Sequence, residues 1–191
     1  MTPRIQPVPR DEWPPEMKDA VAELNPPNAR HESQAREGRP QAVNALATFA
    51  HHPALARAWM TFNGHVLRNT TLTLRHRELL ILRVAVLRKS AYEWAQHVPM
   101  GQDCGLTDDE ITRIAYGPDL PYWGELDAAL LRAADELVAD ATISDATWAV
   151  LIEHLATEQL FDVIFTVGAY EVIAFMFRAC GTEFDDDLLR G

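Results

Sequence analysis

The residues RKSAYEWAQH at 88–97 place Ser90, Glu93 and His97 at i, i+3 and i+7. A glutamate and a histidine four residues apart share one helix face, where a carboxylate and an imidazole can exchange a proton or simply pair. Upstream, Glu78 opens the apolar run LLILRVAVL, with Leu82 and Ala85 following at i+4 and i+7 on the same face. A carboxylate with such neighbours is either partnered or partly protonated, its pKa raised by desolvation. Glu78, Glu93 and His97 are therefore candidate catalytic residues, a set suited to proton transfer.

Each of these residues also has a structural reading. Ser90-x-x-Glu93 is a capping box, and Arg88 and Lys89 can close the preceding helix, so a helix–turn–helix corner here needs no function. On a helical wheel Ala91, Trp94, Ala95 and Val98 share an apolar face and Glu93 and His97 point away from it. Pattern alone then makes the latter two a solvated ion pair. Glu78 reads equally well as a first-turn glutamate favoured by the helix dipole. Glu78, Glu93 and His97 could supply three metal ligands, but no familiar His–Glu signature surrounds them and no metal is expected. Cys104 and Cys180 lie far apart, with no CxxC. Cys104 is expected to be a small buried residue at a helix end, and the cysteine usage suits a reducing cytosol.

The elements that position these residues are helical. Residues 1–40 form a proline-rich arm, with one short helix expected in EMKDAVAEL, and 41–191 form the helical domain. AVNALATFAHHPALARAWMTFNGHVL suggests two helices broken at Pro53. LRHRELLILRVAVLRK is apolar on nearly every side from Leu79 to Leu87, with basic residues closing its last turn, and Thr107–Glu110 is a capping box after Gly105. The apolar run 160–177 contains Asp162 and Glu171, costly in lipid, and reads as a buried helix rather than a membrane span. No stretch shows sustained period-two alternation, so the fold class is all-α, a single-domain bundle of seven or eight helices with an N-terminal arm.

With 191 residues, 48% of them hydrophobic and 24% charged, the chain can bury a sizeable core. A formal net charge of −11 excludes a phosphate-tracking surface, so nucleic acid is not an expected partner. The N-terminus has no apolar core of signal-peptide length, and a cytoplasmic location is expected.

The block LRHRELLILRVAVLRKSAYEWAQHVPMGQDCGLTDDEITRI resembles the carboxymuconolactone decarboxylase family, which includes the alkylhydroperoxidase-like proteins. The flanking segments resemble its longer members, so the likeness spans about residues 40–181. In the redox branch of that family the motif is a glutamate followed by CxxCxxxH. Glu78 and His97 match it, but Ser90 and Glu93 stand at the two cysteine positions. A thiol peroxidase cycle needs an attacking and a resolving thiol, so that activity is excluded. The resemblance implies the alkylhydroperoxidase-like bundle and a homo-oligomer, a trimer or hexamer, with the site between helices near a subunit interface. It also implies cofactor-free acid–base chemistry on a small organic acid or lactone. His97 would be the proton donor, Glu93 or Glu78 its partner, and Ser90, Tyr92 and Arg83 would contact substrate. A non-catalytic oligomeric binding protein on the same scaffold is the competing class.

Overall fold

The computed structural model describes residues 2–34 and 38–189. Among them lie nine α-helices and no strand, one more helix than the upper expectation, with the short helix of the arm and the break at Pro53 both where the sequence places them. The chain forms two compact units, one of residues up to Thr70 together with those from Met176 onward, the other Thr71–Phe175.

The first unit begins with a 3-10 turn, Arg10–Glu12, and α1, Glu16–Ala22, whose Met17 and Ala20 are buried. α2, Val43–Phe49, and α3, Pro53–Gly64, meet at the expected break, with Pro53 at the first helical turn, where its missing N–H costs nothing. A π-helical turn, His65–Asn69, ends α3. α1 packs on α3 at Gly64, where a Cβ would stand 2.4 Å from the Glu23 carbonyl oxygen. The C-terminal tail closes over α2, Asp185 accepting from the Asn44 amide at 2.7 Å.

The second unit is organised around α4, Leu74–Leu87, which packs against α5, Ala91–Asp103, and α7, Glu125–Asp140. Thr73 caps α4, its hydroxyl accepting from the His76 amide at 3.1 Å. Leu79, Leu80, Ile81, Leu82 and Val84 are fully buried, at 0% exposure. Together they contribute roughly 10 kcal/mol of gross burial energy, at about 1.5–3 kcal/mol each. A segment apolar on nearly every side, as Leu79–Leu87 is, must be central, and this one is. α6, Asp108–Ile114, carries the expected capping box, with Thr107 and Glu110 bonded reciprocally. α8, Asp145–His154, is capped by Ser144.

α9, Thr157–Cys180, is long and apolar enough to cross a membrane by length and composition. Its two acidic residues are paired within the second unit. Asp162 Oδ2 accepts from both the amide and the hydroxyl of Thr71, at 2.5 and 2.6 Å, and Glu171 pairs with Arg88. The expectation of a buried helix holds for one side only, since Phe161, Phe165, Val172 and Phe175 are exposed.

Candidate active site

Glu78 is the fifth residue of α4 and not part of its first turn, because Thr73 rather than a later residue caps the helix. The dipole reading is thereby replaced by burial, for the residue is 0% exposed. Its Oε1 accepts from Arg77 Nε at 2.9 Å and Nη2 at 2.5 Å, and its Oε2 accepts from His97 Nδ1 at 2.8 Å. Neighbours along a helix point about 100° apart and do not ordinarily meet. Arg77, itself 1% exposed, folds back onto Glu78 because neither charge could stay in this core without the other. Burial works to raise the Glu78 carboxyl, but His97 and Arg77 together outweigh it and hold the carboxyl below its ordinary range.

A carboxylate on Nδ1 fixes the imidazole's orientation and leaves Nε2 as the working end, without a hydrogen-bond partner among the described residues. Tyr170 of α9 stands edge-on to the ring, 4.9 Å between centroids at 89°. Its own hydroxyl is pushed well above the usual range, by burial first and then by the Glu78 charge.

α5 lies the other way round from its helical wheel. Tyr92, Glu93, Gln96 and His97 are buried, whereas Ala91 is exposed and Trp94, Ala95 and Val98 are less enclosed than the wheel requires. The polar face points inward because Glu78 and Arg77 wait there, a partner 19 residues away that a wheel cannot register. The solvated-pair expectation for Glu93 and His97 is thus overturned, their exposures being 1% and 8%.

The Ser90 capping box is also absent. Ser90 stands at the N-cap with φ −91° and ψ 83°, and its side chain bonds no helical amide. Among the described residues neither Glu93 oxygen nor Ser90 Oγ has a hydrogen-bond partner. Burial pushes the Glu93 carboxyl well above its ordinary value, outweighing the opposing influence of the neighbouring Ser90 hydroxyl.

Tyr92 is buried at 4% exposure on the same face. Arg83 is placed elsewhere. Its guanidinium grips Asp135, Nε to Oδ1 at 2.5 Å and Nη2 to Oδ2 at 2.8 Å, while Nη1 caps the α6 carbonyls of Ile114 and Ala115 at 2.9 and 3.2 Å. Gly117, at φ +96°, lets the backbone pass this group, for a Cβ there would meet Nη2 at 2.9 Å. Arg83 therefore acts as a brace between α4, α6 and α7, and its expected contact with an anionic substrate has no support in this placement. Cys104 is half-buried at the end of α5, less enclosed than expected. Among the described residues no group of three His, Cys, Asp or Glu is placed to hold a metal ion.

Sequence reasoning missed Tyr170 and the role of Arg77. Arg77 was visible as a charge ahead of an apolar run, whereas Tyr170 is 73 residues from His97 with no local signal.

The model of the carboxymuconolactone decarboxylase family matches residues 53–136, a segment that holds Glu78, Ser90, Glu93 and His97 and leaves Tyr170 outside. No curated protein matches the chain by sequence. Among solved structures, a peroxidase-related protein with an alkylhydroperoxidase core from Ralstonia eutropha is similar, at TM-score 0.77 and 18% identity over 96% of this chain and 93% of that one. A peroxidase-related protein from a Silicibacter species aligns at TM-score 0.76 and 15% identity, over 98% and 96% of the two chains. The debrominase Bmp8, solved with 2,3,4-tribromopyrrole, aligns at TM-score 0.77 and 10% identity, over 97% and 94%. At these identities the likeness is one of fold.

Proposed function

We propose that this chain, which belongs through residues 53–136 to the carboxymuconolactone decarboxylase family, is a cofactor-free proton-transfer enzyme acting on a small organic acid or lactone. The observation that carries the reading is the Arg77–Glu78–His97 relay, with a fully buried carboxylate 2.8 Å from Nδ1 and an unpartnered Nε2. The buried carboxylate holds the imidazole in one orientation, with Nδ1 toward Glu78 and Nε2 open. In a decarboxylation the bond to the departing carboxylate breaks, CO2 leaves, and the electron pair delocalises into the substrate's own conjugated carbonyl. His97 Nε2–H then forms the new C–H bond and the imidazole returns to neutrality. Glu93, its carboxyl pushed toward the neutral form by burial, can donate to the enolate oxygen while that charge exists. The same residues serve an isomerisation or lactone opening.

Thiol peroxidase chemistry has no foundation here. Ser90 and Glu93 occupy the motif's cysteine positions, and the chain's two cysteines, Cys104 and Cys180, lie outside the motif and form no disulfide. A homo-oligomer in the cytosol completes the proposal. The competing reading is a non-catalytic oligomeric binding protein on the same scaffold.

The test is turnover of β-oxo and vinylogous lactone acids in deuterium oxide, followed by NMR for CO2 loss and deuterium at carbon. His97→Ala should abolish product formation, and Glu93→Gln should lower kcat with helicity retained. Unchanged rates in both variants would sink the acid–base assignment.

A further inference from the structure

The exposed side of α9 is neither polar nor random. Phe161, Phe165, Gly168, Val172 and Phe175 follow one another at spacings of four, three, four and three, and all five are exposed. The four large side chains stand 52–56% open. A strict 4-3-4-3 apolar seam is the pattern that packs against another α-helix by knobs into holes, not against a flat surface. At its centre a Cβ built on Gly168 meets nothing within 4 Å, so packing inside this chain does not require the glycine. Glycine weakens a helix interior, and its use on an open face is explained by a second backbone approaching there.

We propose that this face is an isologous interface, on which α9 of a second copy of the chain lies antiparallel and crosses at Gly168. Symmetry is what singles out this occupant. An antiparallel pair crossing at residue 168 brings residues with numbers summing to 336 together. Phe161 then meets Phe175 of the second copy, and the Phe165 and Val172 layers interleave across the crossing. The charges obey the same rule, since exposed Glu158 near one end of the helix faces exposed Arg178 of the second copy, twice by symmetry. The sequence of α9 is thus complementary to itself read backwards, the defining requirement of a two-fold contact. At about 200 Å² per aromatic ring, the half-exposed side chains of the seam present on the order of 400 Å² per copy. That is roughly half of the ~800 Å² each partner buries in a standard interface, and the rim of the same face supplies more. A two-fold contact of this kind occurs within a hexamer and not within a simple trimer. The interface rests on helix geometry alone and is independent of the chemistry proposed above.

The experiment is light scattering on the eluting full-length protein, with circular dichroism to confirm the fold of each variant. The wild type should run as a dimer or an even multiple. Phe165→Glu should halve its mass, and Gly168→Leu, harmless to the isolated helix, should do the same. Glu158→Arg should weaken association about threefold to thirtyfold at low salt, and the double swap Glu158→Arg with Arg178→Glu should restore it. A monomeric wild type overturns the proposal. It fails as well if a monomer binds vesicles of neutral phospholipid through this face, which would make lipid the occupant. An oligomer that survives Phe165→Glu and Gly168→Leu unchanged places the interface elsewhere and also overturns it.

Discussion

Replacing Glu78 by glutamine keeps the size of the side chain and removes only the charge, which makes it the sharpest probe of the buried relay. Arg77, 1% exposed, would lose the carboxylate that compensates it. The new amide group would also turn its own N–H toward either Arg77 or the Nδ1–H of His97, donor against donor. Removing one partner of a buried ion pair costs about 3–5 kcal/mol. For a chain of this size about 2–4 °C is lost per kcal/mol, so Tm should fall by roughly 6–20 °C. Because the folded carboxyl titrates below its ordinary value of 4.5, its contribution is complete above that pH and disappears as pH drops through the lowered value. The gap between wild type and Glu78→Gln should therefore be widest at neutral pH and narrow in acid. The assay is urea unfolding at several pH values, run beside Arg77→Met and the double variant. Removing both charges should cost less than the sum of the single changes by about 2 kcal/mol, the signature of a coupled pair. A Glu78→Gln loss below about 1 kcal/mol at neutral pH, or strict additivity, would refute the reasoning.

The raised pKa of Glu93 means that the folded form loses stability as pH climbs from 4.5 toward the raised value. Glu93→Gln should match the wild type in acid and exceed it by about 1–3 kcal/mol at high pH, measured as Tm against pH; a constant difference would contradict the assignment. Arg83→Met should cost about 2–3 kcal/mol in chemical unfolding by freeing Asp135 and the end of α6, with KM for any substrate unchanged. Gly64→Ala, favourable by about 1 kcal/mol in an isolated helix, should instead destabilise the protein, since its Cβ would lie 2.4 Å from the Glu23 oxygen. Denaturant midpoints decide its sign.

Much of the fold was legible because local signals and tertiary demands agree. Pro53 suits a first helical turn, Thr107 and Glu110 bond as their spacing requires, and the run from Leu79 to Ala85 is apolar but for Arg83. The geometry that joins the candidate residues was not legible. Glu78 and His97 could be chosen by type and spacing, yet their bond spans 19 positions and crosses two helices. α5 illustrates why. A helical wheel takes for granted that the core is apolar, and here the core offers α5 an ion pair, so the polar face turns inward. The same long range hid Arg83, whose acceptor Asp135 lies 52 residues downstream, and Tyr170, which joins the site from a helix that reads simply as apolar.

The clamp between Thr71 and Asp162 has a consequence for how this chain tolerates change in length. Asp162 fastens the start of α9 to the approach to α4, and Tyr170 reaches His97 from eight residues further along the same rod. Eight residues of α-helix measure about 12 Å, a little more than two turns. The interval is therefore a ruler with a phase as well as a length. One inserted residue would advance Tyr170 by about 1.5 Å and swing it about 100° around the axis, off the imidazole altogether. Insertions before Thr71 or beyond the ring leave that phase untouched. The stretch from 162 to 170 is where a gap in the chain would be read as a rotation.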